Sequence, residues 1–388
     1  MTPGATASST GLVHDYLLVM RGAERTFAAM ASCWPAAPIY TLLYDVAGTG
    51  GEFDGRRIHT SYLQTTGIGQ SGFRRLLPLL HGAARRLPVQ EHDVVISSSS
   101  AFAHGVRARA DAVHVCYCHS PFRYAWFEQE RALQECGRVT RPALRMALAH
   151  ARGRDMAAAR AVTHYIANSE ISRERIQRFW NRDATVIHPP VEVERFRVGE
   201  PADYALVVGE VTRHKRTDVA LEAARRAGVR LKVVGAGPEL ERLRSKYAAT
   251  AEFLGRVSDE RLGSLYRHAR ALVVPNVEEF GIAAVEAQAA GRPVVAAAAG
   301  GALETVVDGE TGVLVPPDDV DALAEAMSET DFDRFASKRI VSNAARFSTE
   351  CFKQRLTREV ARIAARVPVP EPVPASQGEV LVGAPSTS

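Results

Sequence analysis

The sequence predicts an α/β protein made of two doubly wound parallel sheets, and three observations lead there. Short β-rich runs alternate with stretches of helical period from end to end, which is the pattern of βα units with parallel strands. The segment His188-Pro189-Pro190-Val191 breaks that alternation, because consecutive prolines can continue neither a helix nor a central strand. Finally, 388 residues at roughly 150 per domain are enough for about two domains.

Taken in order, the expected strands of the first half are residues 12–14, 93–97, 113–118, 165–168 and 185–188, each closed by a polar or Gly/Pro cluster. In the second half they are 205–209, 231–235, 252–255, 271–275, 293–296 and 312–316, with helices such as 218–227 between them. A last helix is expected over 351–367, followed by alternating Pro368, Pro370, Pro372 and Pro374. The expected organisation is therefore a first domain over 11–190, a second over 201–348, a C-terminal helix over 349–366 that returns to the first domain, and a disordered tail over 367–388. Two doubly wound sheets present a cleft between the carboxyl ends of their strands, and ligands belong there.

Composition narrows the class. Hydrophobic residues at 46% and charged residues at 24% exclude a disordered, collagen-like or coiled-coil chain. A net charge of +4 is too small to argue for nucleic acid. Five scattered cysteines lack the paired spacing of a zinc site or a disulfide framework, so they are expected to be reduced, in a cytoplasmic protein. The opening MTPGATASST has neither a basic start nor an apolar stretch, and no run of about eighteen uncharged apolar residues follows, so neither export nor a membrane span is expected.

The most informative stretch is Val273-Val274-Pro275-Asn276-Val277-Glu278-Glu279-Phe280-Gly281-Ile282-Ala283-Ala284-Val285-Glu286, continuing through Gly291-Arg292-Pro293-Val294-Val295. It reads as strand, acidic turn, helix and strand. Gly281 would open the helix, where free backbone N–H groups and the positive end of the dipole favour an anion such as a pyrophosphate. Glu278 and Glu286 lie eight residues apart, so their carboxylates can address different parts of one elongated ligand and accept hydroxyl hydrogen bonds from a sugar and a ribose. Taken alone, such a pair is more often a helix cap and a solvated surface residue.

Context changes that balance. The segment resembles the donor-binding motif of the family-four glycosyltransferases, which have the GT-B fold of two Rossmann-like domains facing across a cleft. Gly235-Ala236-Gly237-Pro238-Glu239-Leu240, Gly300-Gly301-Ala302-Leu303-Glu304-Thr305-Val306 and Thr311-Gly312-Val313-Leu314-Val315 resemble further parts of it. In the first half, His14-Asp15-Tyr16 with Arg21-Gly22-Ala23-Glu24-Arg25 resembles the family's first strand and glycine loop, with Arg21 where a second glycine is usual. Cys118-His119-Ser120-Pro121-Phe122-Arg123-Tyr124-Ala125-Trp126 is similar to the corresponding segment of the bacterial polysaccharide mannosyltransferase branch.

The resemblance implies a retaining, metal-independent transfer of a hexose to an acceptor hydroxyl in polysaccharide, glycolipid or glycoconjugate biosynthesis. It assigns catalytic roles to His119, Glu278 and Lys215, and donor contacts to Gly22, Arg213, Lys215, Glu278, Phe280, Gly281, Ile282 and Glu286. It implies no metal and no cofactor beyond the nucleotide-sugar co-substrate, with GDP-mannose favoured by the branch and UDP-sugars left open. The acceptor would be a saccharide, a lipid-linked compound or a small molecule. Glu210 departs from the pattern by standing where many members carry Arg, so Glu210 must point away or Arg213 or Arg216 must supply the missing charge. An epimerase on the same scaffold and a degenerate, binding-only member remain the competing readings.

Residues 71–90, SGFRRLLPLLHGAARRLPVQ, carry Arg74, Arg75, Arg85 and Arg86 without an acid. Peripheral contact with an anionic membrane surface is one reading; a helix with a core stripe and a solvated basic face is the other, because Pro78 interrupts the periodicity.

Overall fold

The computed structural model describes residues 9–68, 72 and 76–366. The tail 367–388, together with Arg74 and Arg75 of the basic stretch, lies outside the described residues. The first sheet contains β1 (Thr10–His14), β2 (Ile39–Thr41), β3 (Ile58–Thr60), β4 (Val94–Ser99), β5 (Val113–Cys118), β6 (His164–Ala167) and β7 (Ala184–Val186). Its order is β3-β2-β1-β4-β5-β6-β7, and every pairing is parallel. The second contains β8 (Ala205–Val208), β9 (Leu231–Val234), β10 (Ala251–Gly255), β11 (Ala271–Val274), β12 (Val294–Ala297) and β13 (Gly312–Val315), ordered β10-β9-β8-β11-β12-β13 and again all parallel.

All eleven expected strands are present, and β2 and β3 are additional. Each has three residues, too few to show a period, and they form one edge of the first sheet. The central strands β4 and β5 are buried along their whole length, as parallel strands covered by helices on both faces must be.

Helices supply the covering layers. Thr349–Ala364 starts at Ser348, whose side chain accepts a hydrogen bond from the Cys351 N–H. Its Phe352, Leu356, Val360 and Ile363 recur at helical spacing and pack with Leu12, Phe27, Ile39 and Ile96 of the first half. Thr217–Ala227 places Val219, Ala220, Ala223 and Ala224 in the core of the second sheet. Pro78 lies in the first turn of Leu77–Ala84, where the missing N–H has no intrahelical partner to lose, so it starts that helix rather than interrupting it.

In each sheet the strand order reverses once, between β1 and β4 and between β8 and β11. Loops leaving the carboxyl ends on either side of a reversal diverge and leave a crevice. The two crevices face each other.

Candidate active-site cleft

The cleft has a volume of about 580 Å³. The first sheet contributes Gly22, Ser100, His119, Ser120 and Asn168, and the second contributes Gly209, Glu210, Lys215, Asn276 and the segment from Glu278 to Glu286. Of the residues expected from sequence, Gly22, His119, Lys215, Glu278, Phe280, Gly281, Ile282 and Glu286 all line it.

At the second-sheet reversal, Lys215 follows β8 and Glu278 follows β11. Lys215 Nζ donates to both carboxylate oxygens of Glu278, at 2.6 and 2.7 Å, and Asn276 Nδ2 donates to Oε1 at 3.0 Å. A cation and an anion that are 63 residues apart in sequence thus form one half-buried group at the cleft wall. Gly281 is the N-cap of the helix Ile282–Ala289 with φ at +87°, a conformation that side chains with a Cβ rarely adopt. The first N–H groups of that helix therefore start inside the cleft. Phe280 lines the wall, but its ring is turned into the core against His188 and Phe347, so it anchors the loop.

Glu286, half-buried in the same helix, accepts the Tyr266 hydroxyl hydrogen bond at 2.9 Å. Burial pushes its carboxyl above the usual range, opposed by that hydrogen bond and by Arg195 and Arg25. Glu279 behaves oppositely. Burial would raise it, but Arg123 and Arg175 outweigh burial, Arg175 Nη1 lying 2.9 Å from its carboxylate, and hold it below the ordinary value.

His119 follows β5. Its Nε2 is 2.9 Å from the Ser98 hydroxyl, which also lies 3.1 Å from His14 Nδ1. This leaves Nδ1 of His119 for any ligand hydroxyl. Burial lowers His119 to about 4, and burial together with neighbouring His119 lowers His14 to about 3, so both rings are neutral above pH 5. The two halves also touch directly. A Cβ at Gly22 would lie 3.2 Å from Ile282 Cδ1, so glycine permits the first loop's approach to the second sheet's helix. Arg25 pairs with Asp259 at 3.3 Å, while Glu304 accepts from the Glu170 N–H and from His188 Nε2.

The structure does not bring Arg213 into this group. Its side chain is 86% exposed and points to Glu239 at 3.4 Å, and Arg216 is paired with Asp318 and Asp218. Neither lines the cleft, whereas Arg21 and Arg123 of the first half do. Arg21 forms no ion pair among the described residues and faces the same space as exposed Glu210. Its presence at a glycine position was the signal in the sequence. Trp126 is packing: its Nε1 donates to buried Asp155 at 2.6 Å and its ring stacks on Phe179. Asp155 carried no signal, yet it also accepts from Trp180 Nε1 at 2.7 Å and lies 3.1 Å from His104 Nε2. Among the described residues, no group of three or more His, Cys, Asp or Glu is arranged to hold a metal, all five cysteines are free, and no helix is long and apolar enough to cross a membrane.

Two facing Rossmann-like domains with a charged crevice at both strand reversals define the GT-B class. The solved structure of Anabaena HepE in complex with UDP-glucose is similar at a TM-score of 0.66 and 19% identity, covering 91% of this chain and 99% of that one. Sucrose-phosphate synthase from Thermosynechococcus elongatus is similar at 0.67 and 20%, covering 92% and 100%. A family model for Glycosyltransferase Family 4 matches residues 20–195, and one for Glycosyl transferases group 1 matches 192–347. The chain belongs to the family-four glycosyltransferases. D-inositol 3-phosphate glycosyltransferase of Mycolicibacterium smegmatis is 35% identical over 214 residues, 47% of this chain and 49% of that protein. Its namesake in Streptomyces avermitilis is 33% identical over 228 residues, 50% and 49%. The chain spans about half the length of the curated relatives it matches.

Proposed function

We propose that this protein transfers a hexose from a nucleotide sugar to an acceptor hydroxyl with retention of configuration and without a metal. The observation that carries the reading is the Lys215–Glu278 pair beside the Gly281 helix start, in one cleft with Glu286 and His119. A donor entering this cleft meets a cation and free N–H groups for its diphosphate and carboxylates for its hydroxyls. Lys215 exchanges its carboxylate partner for the diphosphate and stabilises the charge that grows there as the glycosidic bond breaks. Glu278, released from Lys215, accepts sugar hydroxyls, Glu286 accepts those of the ribose, and neutral His119 meets the sugar from the opposite wall. Arg21 supplies the second positive charge from the first domain, in place of the arginine that Glu210 displaces. The acceptor enters from the first-domain side, and cleft closure excludes water that would hydrolyse the donor.

For the donor, the resemblance of residues 118–126 favours GDP-mannose. UDP-sugars are the second reading, favoured by the UDP-glucose complex of the HepE neighbour. Calorimetry with GDP, UDP and ADP, each free and sugar-linked, on wild type and Lys215→Ala separates these. A GDP or UDP preference lost in the variant supports the diphosphate site and names the base, while no nucleotide binding at all would leave a degenerate scaffold. Anomer-resolved analysis of the product tests retention, and an inverted linkage would overturn it.

A further inference from the structure

A second cavity, of about 370 Å³, opens in the first half, at the opposite end of the sheet from the cleft. It lies where β5 and β6 begin: His114 lines it, and His119, five residues on, lines the cleft, which is ~16 Å along an extended strand. Its walls are the end of the helix Leu77–Ala84, the loop over residues 105–112 and the helix Arg141–Ala161.

The charge distribution there is one-sided. Arg85, Arg107, Arg109 and Arg154 line the cavity with His81 and His114, and no Asp or Glu does. Arg109 is neutralised by Asp93 and Asp111. Arg85, Arg107 and Arg154 have no ion-pair partner among the described residues. Arg182, from outside the cavity, occupies the carbonyls of residues 159, 160, 162 and 163 at the end of Arg141–Ala161. The floor is small, with Ala157, Ala158 and Ala161 leaving the space open. Arg85, Arg107 and Arg154 are exposed residues around one concavity whose lining holds no carboxylate, so the cavity favours an anion over a cation. Planar guanidinium forks match phosphate oxygens in pairs, and the volume lies in the small-molecule range.

We propose that this cavity is a second anion site, which binds a phosphate ester through Arg85, Arg107 and Arg154, separately from the donor cleft. The site does not depend on the identity of the sugar donor. Its chemistry is that of a phosphoryl group, carried by a soluble metabolite or by a lipid headgroup.

The test is calorimetric titration of the full chain with sodium pyrophosphate, which also fills a diphosphate cleft. Two binding events are expected in wild type. Arg107→Ala/Arg154→Ala should weaken one of them at least tenfold while nucleoside diphosphate binding is unchanged, and Lys215→Ala should spare that same event. Arg107→Lys/Arg154→Lys should retain part of it, which tells charge from packing. An isotherm unaltered by Arg107→Ala/Arg154→Ala, or a single event lost in Lys215→Ala, would overturn the proposal. Sedimentation with phosphatidylcholine vesicles containing phosphatidic acid assigns the source. Retention that pyrophosphate competes away and the double alanine variant loses identifies a headgroup, and pyrophosphate binding without retention identifies a soluble ester.

Discussion

The two walls of the cleft are built differently. The second-domain wall draws most of its charged groups from one short loop after β8 and one continuous strand–turn–helix segment, with Asp259 added from a separate helix, and Lys215 and Glu278 meet there in a direct ion pair. The first-domain wall draws its residues from the segments after β1, β4, β5 and β6, and beneath the arginines at its edge His119 is held by a neutral hydrogen-bond chain through Ser98 to buried His14. A wall of charges at a solvent-facing rim can exchange partners when a ligand arrives. Buried neutral imidazoles resist protonation and keep one geometry. The second wall is therefore suited to bind and release charge, and the imidazoles of the first to hold one geometry.

That contrast can be broken most severely from the rigid side. Asp155→Ala removes the acceptor of two indole N–H groups and the counter-ion of buried His104, so we expect a loss of about 3–5 kcal/mol in denaturant unfolding. Lys215→Ala should do the reverse. Donor turnover should fall by about 10²–10³ in kcat, on the scale of removing one transition-state charge stabiliser, with the unfolding midpoint little changed. Equal damage to stability and turnover in both variants would erase the difference between the walls.

Acid offers a graded probe of the buried imidazoles of the first domain. His14 and His114 are lowered to about 3, and His119 to about 4, by burial, so each folded site takes up a proton later than its unfolded counterpart near 6.5. Stability is therefore complete above pH 6.5 and falls as pH drops towards 4, by at most about 1.4 kcal/mol per pH unit for each histidine. His114→Gln should flatten the melting-temperature profile between pH 4 and 6.5, and an unchanged slope would show that His114 is not part of that response. The smallest effect is expected at the rim, where Arg25→Ala breaks a pair exposed on both sides and should change unfolding free energy by less than about 1 kcal/mol.

Legibility in the sequence follows the same division. The segment from Val273 to Glu286 could be read because strand, turn and helix are contiguous, and its glycine and carboxylates keep their spacing along one element. His119 was legible only through the residues around it. Asp155 was not legible at all: it sits mid-helix among exposed residues, and its partners Trp126, Trp180 and His104 come from three other segments. The three-residue strands β2 and β3 were missed, whereas β7, equally short, was legible through the His188-Pro189-Pro190 cluster that follows it.

The sequence by itself determined the α/β class, eleven of the strands and the helix stripes, since each follows from local periodicity and backbone preference, and it placed the charged groups near Gly281 on one contiguous segment. Tertiary structure alone decided which cations serve the cleft. Arg213 and Arg216 are nearest to Lys215 in the chain yet turn to Glu239 and Asp318, whereas Arg21 reaches the cleft from the other domain. It likewise gathered Arg85, Arg107 and Arg154 around one cavity. Arg213 and Arg216 turn to counter-charges close to them in space, and separation along the chain carries no information about that distance.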